Sequence, residues 1–467
     1  MSMERRQFLI ASGLGFAGYS FGKPVLAAPE TKTSKGPRKA KSTILFFLCG
    51  GSSHLDTWDM KPKAPIEYRG PFQPIQTSAP GVQLSEHLPM LAKQAHHLAV
   101  VNSVGATVNT NDHHAGYYYN LTGHIPDQSF ITLGNNRTPL PSDWPYMGTV
   151  AASRSEKHPN LPNAITLPHK PSRAPYTRPG QFAARIGVEQ DPLYVNGRLE
   201  EPLKFEAPSL VLEGGITPDR MTDRYSLLKE IDNAHRKFEA GQSGNALNIN
   251  QERALSLILS AQATKAFDVA DESETVQERY GKTVNGMSLL MARRLVEAEV
   301  PFITVFWKGD DRKLAKKCRS AGSWDTHGNN FNCLKDNLLP EFDRGFSALV
   351  EDLAQRGLLE ETLLLVSSEM GRKPKIGDPR SGGTIGAGRD HWTHCLTNVF
   401  AGGGIQGGQT FGASDKYGEY PIERPVTPAN IAGTVYHAMG INDLIAHDKL
   451  GRPYHLLENG EAIRDLF

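Results

Sequence analysis

Pro301-Phe302-Ile303-Thr304-Val305-Phe306-Trp307 is a nearly unbroken apolar run, and a basic loop separates it from Ser323-Trp324-Asp325-Thr326-His327-Gly328. The run reads as a strand. Upstream, 287–300 reads as an amphipathic helix with Met287, Leu290, Met291 and Leu295 on one face. Downstream, Leu334, Leu338, Phe342, Phe346, Leu349 and Leu353 recur at helical spacing. Pro340 interrupts that second helix; it lacks an N–H and predicts a kink or a division. Gly357 closes the helix and 363–366 is the next strand. Helix, strand, helix and strand in quick succession predict βαβ units and a parallel sheet.

Further strands are expected at 43–48, 98–104, 161–167 and 396–400. Continuous apolar runs of this kind suit strands covered on both faces. A helix is expected over 113–121, with Asn111 or Asp112 as its N-cap. Others are expected from 142–154, 217–238, 252–267 and 429–439, the last opened by Thr427-Pro428. From 168 to 250 the pattern loosens, and about 168–280 reads as an insertion or cap on a domain spanning 42–467. Gly402-Gly403-Gly404-Ile405-Gln406-Gly407 matches G-x-G-x-x-G. A dinucleotide motif must open a helix, and Gly408-Gln409-Thr410-Phe411-Gly412 is a poor helix start. The stretch therefore reads as a glycine-rich connection.

The chain has 467 residues, with 51 basic and 50 acidic side chains. Glu4-Arg5-Arg6-Gln7-Phe8-Leu9-Ile10, a short apolar stretch and Val25-Leu26-Ala27-Ala28 together read as a twin-arginine export signal over 1–28. A linker over 29–41 follows. Export through the twin-arginine translocase and a periplasmic or otherwise exported location are expected. Removing 1–28 takes away Arg5, Arg6 and Lys23 against Glu4, so the charge falls from +1 to −1. That balance gives no footprint for nucleic acid. No later run is long enough to span a membrane. The four cysteines make no disulfide framework; Cys318 and Cys333 flank the Asp-x-His pair and either bond with each other in an oxidising compartment or stay as unpaired buried thiols, the second at least as expected as the first.

In extended backbone, side chains at i and i+2 point the same way. Asp325 and His327 can therefore present an oxygen and a nitrogen to one divalent ion. Similar residues flank other apolar runs: His54, Asp56 and Asp59; Asp112, His113 and His114; Glu369; and Asp390, His391 and His394. Ligands gathered from several strand ends are what a site at the edge of an open α/β sheet requires. The candidate metal ligands are His54, Asp56, Asp325, His327, Glu369, Asp390, His391 and His394. Abundant imidazole puts zinc first, with calcium, magnesium or manganese as alternatives. Arg389 and Arg372 are candidates to hold an anionic substrate.

Gly50-Gly51-Ser52-Ser53-His54-Leu55-Asp56-Thr57-Trp58-Asp59, Ala292-Arg293-Arg294-Leu295-Val296-Glu297, Trp324-Asp325-Thr326-His327, Glu369-Met370-Gly371-Arg372 and Gly388-Arg389-Asp390-His391-Trp392 occur in this order. The set resembles the exported family called domain of unknown function 1501, which is grouped with the alkaline phosphatase and sulfatase superfamily. The resemblance implies a three-layer α/β/α sandwich with a mostly parallel central sheet and metal ligands at the strand ends. It also implies that Asp56 binds a metal after the first strand and that Glu369 stands where an aspartate follows a central strand. Counting back from Thr122-Gly123 by the sulfatase spacing places His113 where a nucleophile belongs. His113 is then a metal ligand, a nucleophile forming phosphohistidine, or the mark of a site without catalysis, in that order. The expected activity is hydrolysis of phosphate or sulfate esters, on small molecules or polysaccharides, by metal-activated water or with assistance from His113 and Arg389. The alternative is a non-catalytic, metal-stabilised binding protein of the same fold.

Overall fold

The computed structural model describes residues 40–106, 110–173, 176–206, 265–310, 323–377, 387–448 and 450–467. The expected signal at 1–28, almost all of the linker, the helix at 217–238, most of that at 252–267, and Cys318 lie outside these residues. Eight strands form the central sheet: β1 (Ser42–Phe47), β2 (Leu98–Val104), β3 (Ala164–Leu167), β4 (Leu193–Tyr194), β5 (Phe302–Phe306), β6 (Thr362–Ser367), β7 (Leu396–Ala401) and β8 (Gln409–Phe411). Their spatial order is β8-β2-β7-β6-β1-β5-β3-β4. β1 pairs in parallel with β5 and β6, β5 with β3, β3 with β4, and β8 with β2, while β7 runs antiparallel to both its neighbours.

Alternation along the strands puts helices on both faces. Phe46 stacks on Phe342, with ring centroids 5.7 Å apart, while Phe47 turns to the opposite side and meets Tyr117 at 5.0 Å. On the Phe46 face lie α3 (Val284–Glu297) and α4 (Leu339–Gln355), which pack together. On the Phe47 face lie α1 (His113–Thr122) and α2 (Met147–Arg154). There Tyr146, the residue before α2, packs edge-on against Phe302 and hydrogen-bonds Thr304 at 2.6 Å. A further helix, α5 (Pro428–Ala438), packs on α1 and opens with a capping box between Thr427 and Asn430. The result is a three-layer α/β/α sandwich with a mostly parallel sheet. The inner strands β1, β2, β3, β5, β6 and β7 are buried end to end, which is why they read as continuous apolar runs.

Pro340 divides its helix as expected. A turn at Asn330–Cys333 passes into a π-helical turn at Leu334–Leu338, and α4 begins at Leu339 with the proline in its first turn. The wider turn accommodates the missing proline donor. No helix opens at the glycine-rich stretch after β7; the chain turns and enters the edge strand β8, an element the sequence pattern does not reveal.

The ends of β1, β5 and β6 lie level: Phe47 sits opposite Phe306 on one side and Ser367 on the other. Because β7 is antiparallel, its start lies at the edge where these strands finish. Segments leaving β1, β2, β5 and β6 therefore meet the segment entering β7.

Candidate metal centre

Asp325 is carried to this edge by backbone pairing. Trp324 N–H donates to the Cys49 carbonyl at 2.9 Å, so the Asp-x-His stretch runs beside the turn after β1. Gly50, at φ +119°, leaves room for it; a Cβ there would fall 2.3 Å from the Asp325 nitrogen. Across the stretch, Arg389 N–H donates to the Thr326 carbonyl, and Gly328 bridges Ala387. His391 is held opposite Arg372 in a short antiparallel pairing. His113 occupies the first turn of α1, capped by Asp112, whose carboxylate accepts from His114 N–H at 2.8 Å and Ala115 N–H at 3.3 Å.

Three imidazoles converge on Asp325. His327 Nε2 lies 2.8 Å and His391 Nε2 3.0 Å from its Oδ1, and His113 Nε2 lies 3.3 Å from its Oδ2. The opposite ring nitrogens of His113 and His391 each face an acceptor within hydrogen-bond reach. His113 Nδ1 meets Glu369 Oε1 at 3.0 Å, His391 Nδ1 meets the Asn111 carbonyl at 2.8 Å, and His327 Nδ1 lies 3.9 Å from Asp390 Oδ1. This backing fixes ring orientation and leaves Nε2 aimed at the centre, as around metal-bound histidines.

The electrostatics are those of a partly buried carboxylate among cations and dipoles. Burial alone would raise the pKa of Asp325, but the Arg372 charge and the bonds from the three histidines outweigh it and hold the group well below the ordinary carboxylate range. Burial works to lower His113, yet its bonds to Asp325 and Glu369 carry it above the usual imidazole value. His391 is pushed down to about 4, chiefly by burial, against the opposing Asp325 bond. It is therefore neutral at pH 7. His391 Nε2 also lies 3.0 Å from His327 Nε2.

Two imidazole nitrogens and a carboxylate oxygen gathered this closely fit one cation. Nitrogens bound tetrahedrally to zinc stand about 3.3 Å apart, given a bond of about 2.0–2.1 Å. Two overlapping groups have donor atoms within 4.8 Å of one another: His113, Asp325 and His391; and His327, Asp390 and His391. They share His391. Each supplies three donors, the number that leaves a tetrahedral ion one further position. A His/Asp cluster able to chelate a divalent metal is therefore present.

Asp325, His327, Asp390 and His391 are brought together, with His113 among them. Glu369 stands one step back. Its Oε1 accepts from Gly50 N–H at 2.7 Å as well as facing His113, and its Oε2 accepts from the Ser368 hydroxyl at 3.2 Å. Asp56 is in neither group. Its carboxylate is fully buried and accepts from Arg389 Nε at 2.8 Å and Nη2 at 3.0 Å, Ser53 Oγ at 2.6 Å and Asn330 Nδ2 at 2.9 Å. Asp56, expected as a metal ligand, is thus paired with a guanidinium, and Arg389, expected to assist catalysis, is buried and bonded to the protein's own groups. Arg372 is equally buried and donates to Asp325, Gly50 O, Gly51 O and Trp324 O. His54 is in neither group; its Nε2 faces the Gly418 carbonyl at 2.8 Å. His394 is also outside both and packs between Trp392 and Tyr420, with ring centroids at 4.5 and 5.1 Å. Asp59 pairs with Lys61 at 2.7 Å and with the Ser414 hydroxyl.

Sequence reasoning overlooked Asn111 as a support for the centre. It adopts φ +49°, and its side-chain oxygen accepts from Thr393 N–H at 3.0 Å while its carbonyl orients His391. The Ala292–Glu297 motif belongs to a different place. Arg293 meets Glu272, Glu297 and Asp352 at 2.9, 2.6 and 3.2 Å, an ionic network tying α3 to α4 and to the segment before α3.

Fold and centre together define an α/β sandwich with a metal-chelating cluster at the carboxyl edge of its sheet. The chain belongs to the family described as protein of unknown function, DUF1501, whose model matches residues 40–467. No curated protein matches the chain. Among solved structures it is similar to the phosphonate monoester hydrolase SpPMH from Silicibacter pomeroyi, at 11% identity over 91% of this chain and 76% of that one, with a TM-score of 0.40. It is similar to the PsFucS1 sulfatase from Pseudoalteromonas sp., at 13% identity over 99% and 78%, TM-score 0.38. It is also similar to the alkaline phosphatase from the Antarctic bacterium TAB5, at 10% identity over 87% and 100%, TM-score 0.36. Among the described residues, no helix is long and apolar enough to cross a membrane.

Proposed function

We propose that this chain is an exported, metal-dependent hydrolase of phosphate or sulfate esters. The observation that carries the reading is the convergence of His113, His327 and His391 on Asp325, in groups of three donors at the sheet's carboxyl edge. The motif resemblance to the alkaline phosphatase and sulfatase superfamily supports the reaction class. The nitrogen-rich donor set favours zinc over calcium, magnesium or manganese. A divalent ion bound here supplies a Lewis acid for charge developing on a phosphoryl or sulfuryl oxygen and a means of ionising water at neutral pH.

The protein's own groups set the donors. Glu369 holds the His113 Nδ1 side, the Asn111 carbonyl holds that of His391, and the Arg372 guanidinium keeps Asp325 ionised. Neither ring nitrogen of His113 faces open space, which favours a ligand role over nucleophilic assistance. The nearby Cys49 thiol is held far above its usual pKa by burial and by Glu369, so it offers no thiolate. These features favour water as the attacking group. Cys333 is disulfide-bonded, while Cys49 and Cys395 are free; a disulfide fits an oxidising compartment and passage through the twin-arginine translocase to the periplasm. A small-molecule or polysaccharide ester fits the proposed chemistry.

The second reading, a non-catalytic metal-stabilised binding protein, is favoured by one observation: α1 begins with His113, not with a hydroxyl or thiol. Zinc-loaded protein assayed on phosphate, phosphonate and sulfate esters separates the two. Turnover that disappears in Asp325→Asn and on chelation supports the hydrolase. Absence of turnover on every ester sinks it. The binding-protein reading expects Asp325→Ala and His327→Ala to lower thermal stability with no turnover to lose.

A further inference from the structure

An ester anion approaching this edge needs a cation with donors to spare. Arg372 and Arg389 do not qualify, because both are fully buried and bonded to the protein's own carboxylates and carbonyls. Arg178 differs. It is half-buried, and among the described residues its guanidinium makes one hydrogen bond, from Nη1 to Asn135 Oδ1 at a long 3.3 Å. Its Cζ stands 5.1 Å from the centre of the Tyr117 ring. Tyr117 is four residues beyond His113 on α1, so the two share a helix face.

The loop is pressed onto the helix: Gly180, at φ +84°, lies so close that a Cβ would fall 2.7 Å from Tyr118 Cα. Tyr117 in turn packs on Phe47 and Phe306, the last residues of β1 and β5. Arg178 thus lies against a ring that itself packs on the last residues of β1 and β5.

We propose that Arg178 is the residue that grips the anionic group of the ester, and so selects for phosphate or sulfate over neutral esters. The inference rests on the hydrolase reading for its substrate, but anion binding tests it separately. A guanidinium offers two parallel donors to a tetrahedral oxyanion, which a neutral side chain cannot replace.

The test uses the full-length exported protein, zinc-loaded and in phosphate-free buffer. Affinity for inorganic phosphate and for sulfate is measured by calorimetry in wild type, Arg178→Ala and Arg178→Lys, with a thermal melt of each. Loss of a charged pair of hydrogen bonds predicts about 10- to 100-fold weaker phosphate binding in Arg178→Ala. Arg178→Lys should recover part of it, and the melts should be closely similar. On a turned-over ester, KM should rise more than kcat falls. Phosphate that binds wild type and Arg178→Ala equally, or binds neither, overturns the inference. Ester turnover with an unchanged KM in Arg178→Ala overturns it while leaving the hydrolase reading intact. Arginine-dependent anion binding without turnover on any ester does the reverse. Should Arg178→Ala not fold, Arg178→Lys, which keeps a cation over Tyr117, carries the comparison, and undiminished phosphate affinity there counts against the proposal.

Discussion

Replacing Asp56 with asparagine separates a structural carboxylate from a metal ligand. The native side chain accepts four hydrogen bonds within 2.6–3.0 Å, two of them from the Arg389 guanidinium. The substitution keeps the volume, removes the charge and turns an amide N–H₂ toward Arg389 or Asn330. Arg389 then loses its carboxylate and is left with neutral oxygens, those of Tyr68, Lys373 and Pro374 among them, around a full positive charge with no access to water. Breaking a buried pair on one side costs about 3–5 kcal/mol. Equilibrium unfolding in denaturant, with zinc saturating and with zinc removed by a chelator, reads that loss. The same decrement is expected in both conditions, with metal content per folded chain unchanged. A variant that unfolds normally without metal but has lost its ion would refute the reasoning and restore Asp56 as a ligand.

Glu369→Gln keeps the shape but weakens the acceptor behind His113; metal affinity, measured by competition with a chromogenic chelator, should fall about 10- to 100-fold, and an unchanged affinity would deny the backing role. Arg293→Met leaves the Glu272, Glu297 and Asp352 carboxylates without their shared partner; a loss of about 3–5 kcal/mol in denaturant unfolding is expected, with metal content unaltered. His124 is buried against Trp144, with Nε2 2.8 Å from the Leu456 carbonyl, and burial, outweighing that bond, holds its pKa below the usual imidazole value. The unfolded chain therefore takes up the proton first. Stability present above about pH 6.5 is lost as pH falls toward the folded value, at up to about 1.4 kcal/mol per pH unit. Unfolding midpoints in His124→Gln should fall less steeply between pH 7 and 5 than in wild type, and identical slopes would exclude His124 as a contributor.

The buried strands were legible because each is a continuous apolar run, and βαβ alternation follows from their spacing. The edge strands were not. Leu193–Tyr194 is two residues long, and Gln409–Phe411 carries one large apolar side chain, so neither has a period to read. Within the site, Asp325 and His327 were legible by the two-residue repeat, and His391 by its place before a strand. Asp56 looks the same in one dimension. What distinguishes it is its pairing with Arg389, 333 residues away, which no local pattern announces. Glu369 was placed correctly at a strand end, but its step back from the centre depends on His113 filling the space in front of it. Asn111 acts through its carbonyl, which every residue possesses.

Metal content, with the ligand shell read by X-ray absorption on protein recovered through its native export route, tests the centre most directly. About one divalent ion per chain with nitrogen and oxygen neighbours near 2.0–2.2 Å is expected. Asp325→Asn and His391→Asn should lose it, and Asp56→Asn should keep it. Protein that stays metal-free under saturating zinc, or an ion whose occupancy ignores Asp325 and His391, would contradict the assignment.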